Sequence, residues 1–151
     1  AALANRFSIL VGRRKWMDQM QERVDHYGMT KRLASFRSLD MSVPEFQQDH
    51  AATRARIIEE AKRAVEEDHA EAIILGCTLE FGFFAEVQRE VGVPVIDAVI
   101  APFKHAELLA RMKRQFGWSP SRAWSCEAPS EAEMLQFGVF QEPPKLKRTV
   151  V

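Results

Sequence analysis

Of the two cysteines in this 151-residue chain, Cys77 stands where a side chain could do chemistry. It follows the apolar run Ala72–Leu75 and Gly76, and it precedes Thr78, Leu79 and Glu80. A continuous apolar run marks a strand buried on both faces, as at the centre of a parallel sheet. Cys77 therefore falls at the carboxyl end of a strand, close to the start of a helix. Unpaired backbone N–H groups and the helix dipole at such a place favour a thiolate. The Thr78 hydroxyl beside those N–H groups would complete an anion pocket for a carboxylate or an enolate oxygen. Gly76 would let a substrate approach the backbone closely. Glu80 either points into the site or simply favours the helix N-terminus electrostatically. A buried, inert cysteine is also common at sheet ends, and the residues alone leave both readings open. Cys126, in an irregular Trp-rich stretch, is a weaker candidate. His26, His50, His69 and His105 lack metal-ligand spacing and read as surface residues, although His105 could support the site from a nearby helix. No phosphate-binding glycine loop, GxSxG or HExxH is present. Neither a metal nor a cofactor is expected.

The elements that must position these residues alternate. Arg6–Val11 reads as a strand ended by Gly12, followed by a helix from about Arg14 whose apolar stripe is Trp16, Met20, Val24 and Tyr27. Gly28 suits its left-handed cap. A strand around Ser35–Leu39 is closed by Pro44. A long helix runs from Asp49, its N-cap, to about Asp68. Its buried stripe is Ala51, Ile58, Ala61 and Val65, and its wet face is Glu59, Glu60, Lys62, Arg63, Glu66 and Glu67. The strand at Ala70–Cys77 leads to a helix over Gly82–Val91, capped by Gly92. Val93–Ile96 reads as an edge strand because of Pro94. A final helix runs from Asp97 to about Phe116, with an irregularity at Pro102. Ser130 and Glu133 fit a capping box. This alternation predicts an α/β fold: a four-stranded parallel sheet in flavodoxin-like order 2-1-3-4, helices on both faces, and a C-terminal tail. In that order a ligand binds between strands one and three. The loop Val11-Gly12-Arg13 then faces Gly76-Cys77-Thr78. Arg13 could hold an acidic substrate group, but Arg13-Arg14-Lys15 also reads as a solvated helix start.

Composition narrows the function further. Basic and acidic side chains number 21 each, which argues against a nucleic-acid or membrane-surface protein. No apolar run approaches the ~20 residues that span a bilayer, and no signal peptide is evident. Two cysteines without a disulfide framework suit a reducing, cytoplasmic setting.

Three stretches carry a resemblance: Ile74-Leu75-Gly76-Cys77-Thr78, Gly92-Val93-Pro94-Val95-Ile96-Asp97, and Ala101-Pro102-Phe103-Lys104-His105-Ala106-Glu107. Together with Arg6–Gly12 and Leu33–Ser38 they resemble the second half of the aspartate/glutamate/hydantoin racemase superfamily, in its hydantoin racemase branch, over about residues 4–116. The resemblance implies two α/β lobes facing across a cleft, each giving one cysteine, with no metal or pyridoxal phosphate. One thiolate takes the α-proton and the opposite thiol returns one to the other face. Cys77 resembles the second-lobe cysteine, Thr78 with its backbone the carboxylate or imide clamp, and Val11–Arg13 the loop completing the pocket. Residues 1–117 would then be the second lobe, and 118–151 a tail that packs on the first. The chain starts without Met on a second-lobe strand, so it is expected to be the C-terminal portion of a longer protein. The partner cysteine has no match, and Cys126 is not at a position to supply it. Leu79 stands where glutamate racemases usually show His.

The resulting expectation is a cofactor-independent racemase or epimerase of a carbon acid next to a carbonyl, of hydantoin or amino-acid type. Cys77 is the proton donor or acceptor, and Gly76, Thr78, Glu80, Val11, Gly12 and Arg13 bind substrate. The expected partners are a small molecule and the missing first lobe or a partner chain, in a homo-oligomer. One alternative is an arylmalonate decarboxylase-like enzyme with a single protonating cysteine. Another is a binding module or inactive fragment, since half a cleft does not exclude water.

Overall fold

The computed structural model describes residues 3–124 and 127–138. Contacts divide the chain into two compact units, Ala1–Leu108 and Leu109–Val151. The first contains strands β1 (Phe7–Val11), β2 (Leu33–Ser38), β3 (Ala72–Leu75) and β4 (Val95–Ile96). They form one parallel sheet in the order β2-β1-β3-β4, the order expected from the alternation. All five residues of β1 are buried, because both sheet faces are covered at its centre. β4 lies at an edge. There Pro94 needs no N–H partner, and its carbonyl accepts from the Ile73 N–H at 2.9 Å.

Helices α3 (His50–Glu66) and α4 (Phe84–Val91) cover one face, where Ile57, Ala61, Ala64 and Val87 pack with Leu10, Ile73, Leu75 and Val95. Helix α1 (Met17–His26) covers part of the other, with Val24 against Phe7, Ile9 and Val11. Gly28, at φ 67°, ends α1: its N–H donates to Asp25 and that of Met29 to Val24. This pairing is the Schellman motif. The Asp49 carboxylate accepts from Ala51 and Ala52 at the start of α3.

Several local expectations change in the fold. Arg14–Trp16 forms a 3-10 turn rather than the first turn of α1. The tighter winding shifts the phase of the stripe. Val24 is buried, while Trp16 and Tyr27 are exposed. Pro44 does not close a strand. It sits in the first turn of a short helix α2 (Val43–Gln48), where its missing N–H is no loss, behind a Ser42–Glu45 capping box. The stripe of α3 is Thr53, Ile57, Ala61 and Ala64, leaving Ala51 exposed and Ile58 and Val65 half-buried.

Glu60, expected on the wet face of α3, is buried. Three guanidinium groups offset its desolvation: Arg56 at 2.8 Å, Arg63 at 3.2 Å and Arg37 at 3.9 Å. Arg37 also grips Asp68 with two bonds of 2.7 Å and Glu67 with one of 2.7 Å. Those hydrogen bonds raise the Arg37 pKa, and the bond from Arg37 holds the Asp68 carboxyl below its ordinary range.

The helix after Cys77 also begins later than expected. Thr78–Glu80 is a 3-10 turn, and α4 starts only at Phe84. Helix α5 (Ile100–Phe116) follows a turn at Ala98 and Val99, so Pro102 lies harmlessly in its first turn. No described helix is long and apolar enough to cross a membrane.

The second unit holds the remainder of α5 and helix α6 (Glu131–Gln136), which starts with the expected Ser130–Glu133 capping box. Gly117, at φ 73°, ends α5, and Phe116 stacks on Trp118 with ring centroids 4.9 Å apart. Trp118, Trp124 and Phe137 are exposed.

Candidate active site

Every loop leaving the carboxyl end of a parallel strand emerges on the same edge of the sheet. The loops after β1, β2 and β3 are neighbours there because β1 lies between β2 and β3. Backbone bonds tie them together. The Leu39 N–H donates to Val11 O, the Met41 N–H to Gly12 O, and the Gly76 N–H to Leu10 O, each at 2.8 Å. Between them opens a cleft of about 550 Å³, within the ordinary range for small-molecule sites. Gly76, Cys77 and Thr78 form one wall, and Gly12 and Arg13 another. Cys77 is half-buried and Thr78 exposed. Thus five of the residues expected at the switch point line one cavity. Val11 and Glu80 do not, being completely buried.

The two glycines serve the backbone. A Cβ on Gly76 would stand 2.4 Å from the Leu10 carbonyl oxygen, so the bare backbone is needed for β1 and β3 to close together. That replaces the expectation that Gly76 makes room for substrate. A Cβ on Gly12 would meet the Met41 oxygen and a Phe46 ring carbon, both at 3.1 Å.

The other wall of the cleft was not anticipated. Trp16 comes from the 3-10 turn before α1, Met20 from α1, and Met41, Ser42, Val43 and Phe46 from the segment after β2. The signal was available: β2 adjoins β1, so its exit loop must flank the same switch point. This wall is largely apolar, and Lys15 also lines the cleft. Arg14 instead pairs with Asp40 at 3.3 Å on the surface, as for a solvated helix start.

Beneath Cys77 lies a polar pair. Glu80, in the turn that begins at Cys77, is fully buried, and among the described residues neither carboxyl oxygen makes a well-formed hydrogen bond. Burial pushes its pKa up to about 8. The backbone N–H groups of Cys77 and Gly76 pull it down, while the Asp97 charge adds to the rise. Asp97, at the end of β4, is also buried. Its carboxylate accepts from Gly82 N–H at 3.1 Å, Val99 N–H at 2.7 Å and Ile100 N–H at 3.1 Å. It thereby caps the approach to α5, as its sequence position suggests, and fastens the far end of the Cys77 loop.

The four histidines are exposed, and none lines the cleft. Among the described residues no group of three or more His, Cys, Asp or Glu could hold a metal ion. Cys126 lies outside the described residues.

Comparison with known proteins agrees with this architecture. Residues 1–106 match the family described as Asp/Glu/Hydantoin racemase. A hydantoin racemase from Pseudomonas sp. (strain NS671) is 41% identical over 113 residues, 75% of this chain and 45% of that protein. One from Paenarthrobacter aurescens is 37% identical over 133 residues, 88% of this chain and 55% of that protein. The chain spans about half the length of the curated relatives it matches. Allantoin racemase from Pseudomonas fluorescens superposes with a TM-score of 0.75 at 31% identity, over 85% of this chain and 53% of that one. The Klebsiella pneumoniae allantoin racemase gives 0.77 at 27% identity, over 86% and 51%.

Proposed function

The chain belongs to the Asp/Glu/hydantoin racemase family, and from that membership we propose that it contributes half of the active site of a cofactor-independent racemase. The substrate is a carbon acid next to a carbonyl, of the hydantoin class. Residues 1–117 act as one lobe, and a second lobe, in the same protein or a partner chain, closes the cleft from the other side. The tail from 118 packs on that second lobe. The reducing cytoplasm is the setting that keeps the thiol free.

One observation carries this reading: Cys77 is half-buried on the wall of an open cleft at the sheet's switch point, with Thr78 and Arg13 on the same cavity. The thiolate removes the proton from the carbon. Its electron pair moves to the adjacent carbonyl oxygen, giving an enolate, and an acid on the facing lobe protonates the opposite face. In the reverse direction the Cys77 thiol is the donor. Thr78 and Arg13 hold the carbonyl or imide as charge develops. Positioned proton transfer of this kind contributes roughly 10²–10⁴-fold.

The test is Cys77→Ser in a protein of the relatives' full length, assayed by polarimetry and by deuterium loss at the hydantoin C5. Turnover should fall at least about a hundredfold. Retained turnover removes Cys77 from the mechanism. Cys77 is the one cysteine among the described residues, which is equally compatible with a second reading, an arylmalonate decarboxylase-like enzyme with a single protonating thiol. Carbon dioxide release from an arylmalonate, without racemisation of a hydantoin, would establish that reading instead. A Cys77 that alkylates at an ordinary rate at every pH, in a protein with neither activity, would indicate a binding module.

A further inference from the structure

Glu80 is the buried polar group that the proposed reaction does not use. It lies three residues after Cys77 in the turn Thr78–Glu80 and is entirely inaccessible, and among the described residues neither carboxyl oxygen makes a well-formed hydrogen bond. Such a group costs stability, and an apolar side chain of similar size in its place would usually be neutral or stabilising. Uncompensated costs of this kind tend to sit at functional sites. Its surroundings say what it acts upon. The Glu80 N–H donates to the Cys77 carbonyl at 3.0 Å, and the Phe83 N–H to the Glu80 carbonyl at 3.4 Å, so the residue is the pivot of the Cys77–Phe83 loop. The carboxyl is sealed inside the fold, while Cys77, three residues earlier, stays half-buried on the cleft. Asp97 holds the same loop from β4 through Gly82, and it is the charged group that faces Glu80 from a neighbouring element.

We propose that Glu80 is a positioning residue for Cys77: its buried carboxyl anchors the turn that begins at Cys77 and so sets how the thiol faces the cleft. The inference rests on the reading of Cys77 as the reactive group. Glu80 touches no substrate, so its removal should change the reactivity of Cys77 and kcat while leaving KM within about twofold. The carboxamide of Gln has the same shape and is also polar, so it should replace the carboxyl.

The experiment compares Glu80→Leu and Glu80→Gln with the parent in the full-length protein. Iodoacetamide labelling of Cys77, read by peptide mass spectrometry, is followed beside Tm and hydantoin kinetics. Glu80→Leu, with Tm at or above the parent, should alter the Cys77 labelling rate about tenfold and lower kcat about tenfold. Glu80→Gln should stay within about twofold on both. If Leu does not fold, Glu80→Met is read in the same way, since its unbranched side chain adapts to the space. A folded Leu or Met variant that labels within twofold of the parent would overturn the positioning role, and so would a Gln variant as impaired as Leu. Cys77→Ser, run in parallel, separates the two ideas. If that variant keeps its turnover, the reading of Cys77 fails, whereas the labelling data still decide whether Glu80 governs the thiol.

Discussion

The burial of Glu80 makes the stability of this protein depend on pH in a direction opposite to most carboxylates. Its pKa rises from 4.5 to about 8 on folding, chiefly through desolvation. The folded state therefore holds this proton more tightly than the unfolded state. Its contribution to stability is full below pH 4.5, declines as pH rises, and is exhausted above about pH 8. At about 1.36 kcal/mol per pKa unit, the whole decline amounts to roughly 5 kcal/mol as an upper bound. About two-thirds of it falls before pH 7. Loop opening or water entry around the ionised group reduces this, so a decline of roughly 3–5 kcal/mol is expected. Glu80→Gln removes the titration while keeping the shape. Urea unfolding of parent and variant, followed by far-ultraviolet circular dichroism from pH 5 to pH 9, isolates the effect, because the carboxylates that do not interact with Glu80 cancel in the difference. The two should be nearly equal at pH 5, and the variant should be more stable by roughly 3 kcal/mol or more at pH 9. Parallel curves across that range would refute the argument and mean that the folded protein accommodates the Glu80 charge.

Two further substitutions test the frame around the site. Gly76→Ala sets a methyl group 2.4 Å from the Leu10 carbonyl. It should cost about 1–3 kcal/mol in denaturant unfolding, as overpacking does, because β1 and β3 must part to admit it. Arg37→Met breaks the paired bonds to Asp68 and the contact with buried Glu60. A loss of about 3 kcal/mol is expected at pH 7 by the same measurement. The folded Asp68 pKa lies below its ordinary value. Its stabilisation is therefore present above the unfolded pKa and lost as pH falls through the folded one. In Arg37→Met that acid-side loss should shrink, and a variant as acid-sensitive as the parent would contradict the assignment.

Much of this protein is local enough to be read from the chain. The apolar runs at Phe7–Val11 and Ala72–Leu75, the caps at Gly28, Asp49 and Gly92, and the alternation of elements determine a parallel sheet in the order β2-β1-β3-β4. That order in turn places Gly12, Arg13, Gly76, Cys77 and Thr78 at one edge, since strand direction dictates where each loop emerges. What sequence spacing does not carry is the company a side chain keeps across elements. Glu60 looks solvated along α3, yet it is buried, with Arg37 of β2 joining Arg56 and Arg63 of its own helix around the carboxylate. Gly76 looks like room for a ligand, yet it is occupied by the carbonyl of Leu10. Glu80 looks like a helix-start carboxylate, yet it lies in a separate 3-10 turn and is sealed from solvent. In each case the deciding energy is desolvation or steric contact with a distant segment, and only packing sets either one.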